Sequence, residues 1–238
     1  MRLSHLFFSL SAALTLGTGL SAQAAVINFQ ALADDTTSGA STPHGESAYG
    51  VMSITVDGVT VNIVGKKTGV TAPVYAYLDA GTAGLGVCST GLISGASLGP
   101  RNSASNVCGN SSDDNVTAGE FLEITFNEKI ENLHLWFNSN HDGDPIQSSG
   151  DNIAITIGGG PTAITPFAGN ANCCDLMQPN NSIASIDANT VLRLSVANHQ
   201  FYLSGLTFDR TSIPTPAVSA LLGLGLLGFA VRRGRRAA

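Results

Sequence analysis

Two alternating apolar runs, VMSITV from Val51 to Val56 and VTVNIV from Val59 to Val64, are separated only by Asp57-Gly58. Alternation sends successive side chains to opposite faces of a strand. A two-residue loop joins such runs as a β-hairpin, and Asp-Gly supplies the positive φ that a type I′ turn demands. Seven further segments read as strands: Val26 to Phe29, Val74 to Leu78, Phe121 to Phe126, Asn132 to Phe137, Asn152 to Ile157, Thr190 to Val196 and Phe201 to Phe208. No window of the body keeps a 3.6-residue period over three turns. The expectation is an all-β fold, a jelly-roll-like β-sandwich of about nine strands, which closes most of the edges those strands would leave open.

The same alternation sorts faces. Leu122, Ile124 and Phe126 share one side, with Glu123 and Thr125 on the other. Leu133, Leu135 and Phe137 point inward, and His134 and Trp136 outward. An outward Trp is a candidate sugar-stacking ligand contact; the alternative is a second packing layer or a rim contact. His134 reads as a solvated strand residue.

Four cysteines, Cys88, Cys108, Cys173 and Cys174, fit an oxidising compartment if the chain is exported. Cys88 and Cys108 bracket a Gly/Ser/Asn-rich loop with few apolar residues, which cannot order itself by burial. A disulfide closing it would contribute about 3 kcal/mol in the chain-entropy model. The adjacent Cys173 and Cys174 leave three readings: a strained vicinal bridge, one of them pairing elsewhere, or a zinc site whose usual ligand spacing is missing.

Two acidic clusters invite comparison with Ca²⁺ sites, which take hard oxygen ligands. Asp113, Asp114 and Asn115 precede a strand that Glu120 opens; Asp142 and Asp144 flank a glycine, with Asn138 and Asn140 near. Neither has EF-hand spacing. The alternative is turn chemistry, for which Asp, Asn and Gly are chosen on backbone grounds alone. Nucleophile-elbow, His-Glu-x-x-His and P-loop motifs are missing from the sequence. Glu120 and Glu123 stand three apart on a strand and so face opposite ways, which counts against a glycosidase pair. The cluster IGGGP, Ile157 to Pro161, reads as a hairpin loop.

Both ends of the chain are apolar. Leu6 to Leu20 follows Arg2 and closes on Ser21-Ala22-Gln23-Ala24-Ala25, the three parts of a signal peptide, with Ala22 and Ala24 placed for cleavage after Ala24. A transmembrane anchor is the alternative, and the run is short for one. At the other end, Ala217 to Val231 would reach ~22 Å as a helix against a hydrocarbon core of ~30 Å. Arg232, Arg233, Arg235 and Arg236 behind it form a positive-inside signal. Pro214 and Pro216 prevent a helix from running into that segment out of the body.

Pro214-Thr215-Pro216-Ala217, the run ALLGLGLLG and the arginine cluster together resemble the PEP-CTERM sorting signal of Gram-negative bacteria. Thr215 stands where that family has Glu. The resemblance implies recognition by exosortase, a membrane-embedded transpeptidase-like enzyme, removal of the tail and delivery to the cell surface or its exopolysaccharide. A simple C-terminal membrane anchor is the other reading. Two stretches of the body, Ala76 to Ser89 and Asp113 to Phe137, are similar to the bodies of PEP-CTERM surface proteins, which implies a secreted β-sandwich.

The domain layout expected is therefore a signal peptide over 1–24, a β domain over 25–212 and a sorting tail over 213–238, each end a helix. The whole chain carries −6 from 11 Lys+Arg and 17 Asp+Glu. Five of the cations lie in the two ends, so the body sets six cations against seventeen acids, a net −11. Such a body is a poor partner for nucleic acid, whose phosphates need cationic surface. The functional expectation is a surface protein without enzymatic activity, its role adhesive, structural or polysaccharide-binding, with Ca²⁺ the one candidate cofactor. The alternatives are a secreted hydrolase with loop residues such as Glu120 or Asp142 in its site, and a tail-anchored membrane protein.

Overall fold

The computed structural model describes residues 24–37, 43–109, 114–138, 150–168, 178–179 and 182–211. The expected end segments 1–23 and 213–238 lie outside the described residues. Ala24, expected as the last residue of a signal helix, instead opens a strand. Among the described residues no helix is long and apolar enough to cross a membrane.

In chain order the elements are β1 (Ala24–Asn28), α1 (Phe29–Asp34), β2 (Ser47–Tyr49), β3 (Met52–Val56), β4 (Val59–Lys67), β5 (Tyr75–Asp79), β6 (Gly84–Cys88) and β7 (Glu120–Phe126). There follow β8 (Ile130–Asn138), β9 (Asn152–Ile157), β10 (Ala163–Ala168), β11 (Gln178–Pro179), β12 (Ile183–Ile186), β13 (Leu192–Val196) and β14 (Tyr202–Arg210). The strands form two antiparallel sheets of seven. The first runs β12-β8-β14-β6-β5-β2, with β1 also on β14; the second runs β11-β10-β9-β13-β7-β4-β3.

Among the described residues there are fourteen strands where nine were expected. The nine all appear; β2, β6, β10, β11 and β12 are additions. A short helix was also not expected. Its cap is local: Asn28 Oδ1 accepts the Ala31 amide at 2.9 Å, the usual remedy for an orphan N–H at a helix start. The Asp57-Gly58 hairpin forms as read, with Val56 opposite Val59 and both turn residues at positive φ, 49° and 82°.

One apolar cluster draws side chains from both sheets. Aromatic pairs span it. Phe137 of β8 meets Phe167 of β10 and Phe201 edge-to-face, each with ring centroids 5.2 Å apart. Phe126 of β7 meets Phe208 of β14 at 5.4 Å. At one corner the backbones themselves touch: a Cβ on Gly65 of β4 would stand 2.4 Å from the Tyr75 carbonyl oxygen of β5, so only glycine fits there.

Two bulges break the alternation. On β14 the pairing steps from Leu203↔Phe137 to Gly205↔Trp136, leaving Ser204 over. Inward residues therefore change parity, from Phe201 and Leu203 to Leu206 and Phe208. On β8, Ile130 and Leu133 are both buried, with Asn132 at φ 50° between them, and a bulge of this kind re-aims every later side chain.

Phe137→Ala removes a ring that two other rings contact across the core, and the expected cost is about 3–5 kcal/mol. Equilibrium urea unfolding checks this; a loss smaller than that of an exposed-site control would mean the two sheets do not depend on this cluster.

Candidate functional site

The loop between Cys88 and Cys108 is closed by a disulfide between them, as expected. It does not project into solvent. It folds back over the outer side of the first sheet, where Ala48, Tyr77, Cys88, Val107 and Cys108 make a second, smaller apolar cluster. Part of it lies alongside β2, at the end of that sheet. Gly99 donates to the Ala48 carbonyl at 2.9 Å, Arg101 to that of His44 at 3.1 Å, and Glu46 to that of Ser103 at 2.8 Å. Gly45 permits this approach: it sits at φ +66°, and a Cβ there would overlap the Arg101 carbonyl oxygen at 1.7 Å.

Beneath the loop lies a polar network that the sequence did not announce. His44, Glu46 and Asp79 are at most 5 % exposed. The Tyr77 hydroxyl donates to Glu46 Oε1 at 2.7 Å and accepts from the Val107 amide at 3.1 Å. His44 Nε2 and Asn102 Oδ1 are 2.7 Å apart. Burial pushes the Tyr77 phenol well above its usual range; the Val107 amide opposes this, and the Glu46 and Asp79 carboxylates add to it. Burial likewise raises Tyr49, against hydrogen bonds from Ser47 and His44. The network holds the loop down rather than facing a cavity. The buried Ser47 hydroxyl extends the network, donating to the His44 carbonyl and the Tyr49 hydroxyl, each at 3.0 Å.

Of the first acidic cluster, Asp113 lies outside the described residues. Asp114 is buried and accepts from the Tyr202 hydroxyl at 2.8 Å. Glu120 is fully buried and takes three donors: Thr117 Oγ1 at 2.8 Å, the Thr117 amide at 3.0 Å and Lys67 Nζ at 3.1 Å. Its role here is to lock the start of β7 to the end of β4, where Lys67 pairs with it in register. Glu123 faces the other way, as expected. It holds Arg193 at 2.7 Å, and that guanidinium lies 4.2 Å from the Phe121 ring centre. Among the described residues no group of three or more His, Cys, Asp or Glu side chains is placed to hold a metal ion. Asp142, Asp144, Asn140, Cys173 and Cys174 lie outside the described residues.

Trp136 is half-buried on the outer face of the first sheet. It stands opposite Gly205, which in turn stands opposite Asn28 of β1. The next row reads His134, Thr207, Val26, and Val26 is 58 % exposed. Gly205 cannot carry a side chain, because a Cβ would meet the Ile27 carbonyl oxygen at 2.7 Å. Gly205 is itself buried, so the position beside the indole carries no side chain and is covered by the backbone of β1. Elsewhere, a pocket of about 300 Å³ is lined by Ile155, Ile157, Pro161, Ala163, Thr165, Ser182 and Ile183. Those residues come from β9, β10 and the start of β12, and none of them titrates near neutral pH.

No family model, curated protein or solved structure matches this chain.

Two outcomes follow from the buried groups. Glu120→Gln should cost about 1.5–3 kcal/mol, the value of hydrogen bonds to a charged group, equally with Ca²⁺ and with a chelator; thermal melts in both conditions check it. A cost seen only with Ca²⁺ would return Glu120 to the metal. Tyr77 and Tyr49 keep their protons in the fold beyond the usual phenol value of 10.0. Stability is thus intact below about pH 10 and falls as pH rises further, by up to ~1.4 kcal/mol per pH unit for each phenol. Urea midpoints between pH 8 and pH 11 should show that fall, and Tyr77→Phe should flatten it.

Proposed function

We propose that this chain is an exported cell-surface protein whose body binds neutral glycan rather than catalysing a reaction. In this reading the body is a jelly-roll-like sandwich. The chain passes from the second sheet to the first between β7 and β8 and again between β13 and β14, while β7 pairs with β13 and β8 with β14. Such paired crossings suit the double Greek key of a jelly roll. The export address is supported by the Cys88–Cys108 disulfide, since reducing compartments keep thiols apart. Exosortase would process the tail with its Pro214-Thr215-Pro216 motif, and the destination is the surface or its exopolysaccharide.

The observation that carries the binding function is the position of Trp136. A pyranose presents C–H groups on one face and hydroxyls around its rim. The half-buried indole offers a flat apolar surface on the outer face of the first sheet, and Asn28 and Thr207 stand in the neighbouring register rows with polar groups. Aromatic surfaces with a polar rim suit ligands of that mixed character.

A glycan array with the full-length chain tests this. Trp136→Ala should lower affinity for the bound glycan by about tenfold, roughly 1.4 kcal/mol, while leaving the urea midpoint near wild type. A flat signal for every glycan overturns the binding reading. Intact-mass measurement of surface material tests the address: the expected species begins at Ala25 and lacks the arginine cluster.

A further inference from the structure

Among the described residues five strands pair on one side only: β1, β2, β3, β11 and β12. Short strands, prolines, irregular backbone and covering loops are the usual guards of such an edge. Strand β2 lies under the Cys88–Cys108 loop. Strand β11 has two residues, one of them Pro179. Strand β12 has four, and its ladder with β8 lapses between Ile183 and Ser185, opposite Asn132 at φ 50°. Strand β1 opens on two alanines and closes on Asn28, residues of weak strand preference. Strand β3 has none of these features. It pairs with β4 in unbroken register from Met52 to Val56, and the stretch from Val51 to Val56 holds no charge and no proline.

The hairpin decides which backbone groups face outward. A two-residue loop leaves Val56 and Val59 as a hydrogen-bonded pair. Along β3 the groups of Met52, Ile54 and Val56 therefore turn to β4, and those of Ser53 and Thr55 turn away. Asn127 fixes the same parity from the other side. Thr60, opposite Thr55, donates its amide to Asn127 Oδ1 at 2.7 Å and accepts the Asn127 amide at 3.0 Å, so its backbone faces away from β3. Ser53 and Thr55 are exposed. Ile54 and Val56 are only partly buried against the core, so its apolar rim is open along this edge.

We infer that β3 pairs with β3 of a second copy of this chain, antiparallel about a two-fold axis at Ile54. The occupant follows from the strand's own symmetry. In that register Ser53 of each copy stands opposite Thr55 of the other, and each pair exchanges two backbone hydrogen bonds, four in all. Ile54 stands opposite its own copy, and the two side chains pair across the axis. A two-fold contact of this kind closes after two copies. Along β3 and β4 the charge nearest the axis is Asp57, three residues away. The two Asp57 carboxylates would stand roughly 20 Å apart, against a Debye length of ~8 Å at physiological salt. The net −11 of each body acts from elsewhere and opposes approach when salt is low. One short strand edge falls short of the ~1,000 Å² that a stable interface buries, so the dimer is weak and forms where copies are crowded.

The test follows the full chain in nonionic detergent by sedimentation velocity and residue-resolved amide exchange, over a hundredfold range of concentration. The dimer fraction should rise with concentration and with added salt, and exchange at Ser53 and Thr55 should slow several-fold as it does. Ser53→Pro removes an outward N–H from each copy, two of the four bonds, and leaves the β4 ladder intact, since a strand edge tolerates proline on its solvent side. It should abolish the dimer with a urea midpoint near wild type; if it does not fold, amide exchange in the unaltered chain decides by itself. A monomer at every concentration, unchanged exchange at Ser53 and Thr55, or a dimer that a folded Ser53→Pro retains overturns the inference. Protection that appears on β1 instead, or only when an unrelated uncharged extended peptide is added, gives the contact to another edge or another partner and overturns it too. None of these readouts depends on glycan binding.

Discussion

Backbone hydrogen bonding along β14 joins parts of the chain that are far apart in sequence. One side of β14 takes β8, from the middle of the chain; its other side takes β6 near Leu203 and then β1 from Ala24 to Asn28. The first strand has no other partner among the described residues. The last strand thus joins β1, the β2-β5-β6 group and the β8-β12 pair into one sheet. Contacts of such wide sequence separation must be closed against loop entropy before they return any stability. The bulge at Ser204 belongs to this junction. It lets β14 serve β6 with one parity and β1 with the other, so Leu203 and Leu206 both reach the core.

A sheet that ends in a three-residue strand has an exposed edge, and an exposed edge pairs with whatever it meets. The loop from Cys88 to Cys108 covers β2 from the outside. It has little apolar matter of its own: Leu92, Ala96 and Val107 pack on the Tyr77 cluster. Three backbone hydrogen bonds and the disulfide supply the rest. The polar groups buried beneath are costly unless each finds a partner. Tyr77 answers two of them at once, one through its proton and one through its lone pair. A phenol suits the position because burial keeps it protonated beyond the usual phenol range.

Much of the fold could be read from residues alone, and what escaped did so for definable reasons. The Asp57-Gly58 hairpin and the inward sets on β7 and β8 follow from period-2 alternation with side chains of strong β preference. The five strands that sequence reading missed lack that signal. Strand β6 is GLGVC; its Gly86 is there because a Cβ would meet the Asp114 carbonyl oxygen at 1.8 Å. Glycine weakens strand propensity at the very place where two backbones come closest. Strand β10 contains Pro166, and β2 and β11 are three and two residues long. The site was legible only in part. Trp136 was read as outward from alternation, and it is. The network of His44, Glu46, Tyr77 and Asp79 was not read, because its members come from β5 and the loop before β2, and each taken alone resembles turn or surface chemistry. Glu120 was read as a metal donor from its neighbours in sequence; Lys67, fifty-three residues away, is the partner that decides its role.

Electrostatics limits what the body can meet. Four of its six cations are already bound to acids: Lys67 to Glu120, Lys129 to Glu131, Arg193 to Glu123 and Arg210 to Glu128. The body's net −11 is thus met by few cations not already bound to acids. An anionic polymer or an anionic bilayer would be repelled at any separation within about one Debye length, ~8 Å at physiological salt. A neutral glycan would not, since stacking on an indole needs no charge. A body of this charge also resists collapsing onto other copies of itself.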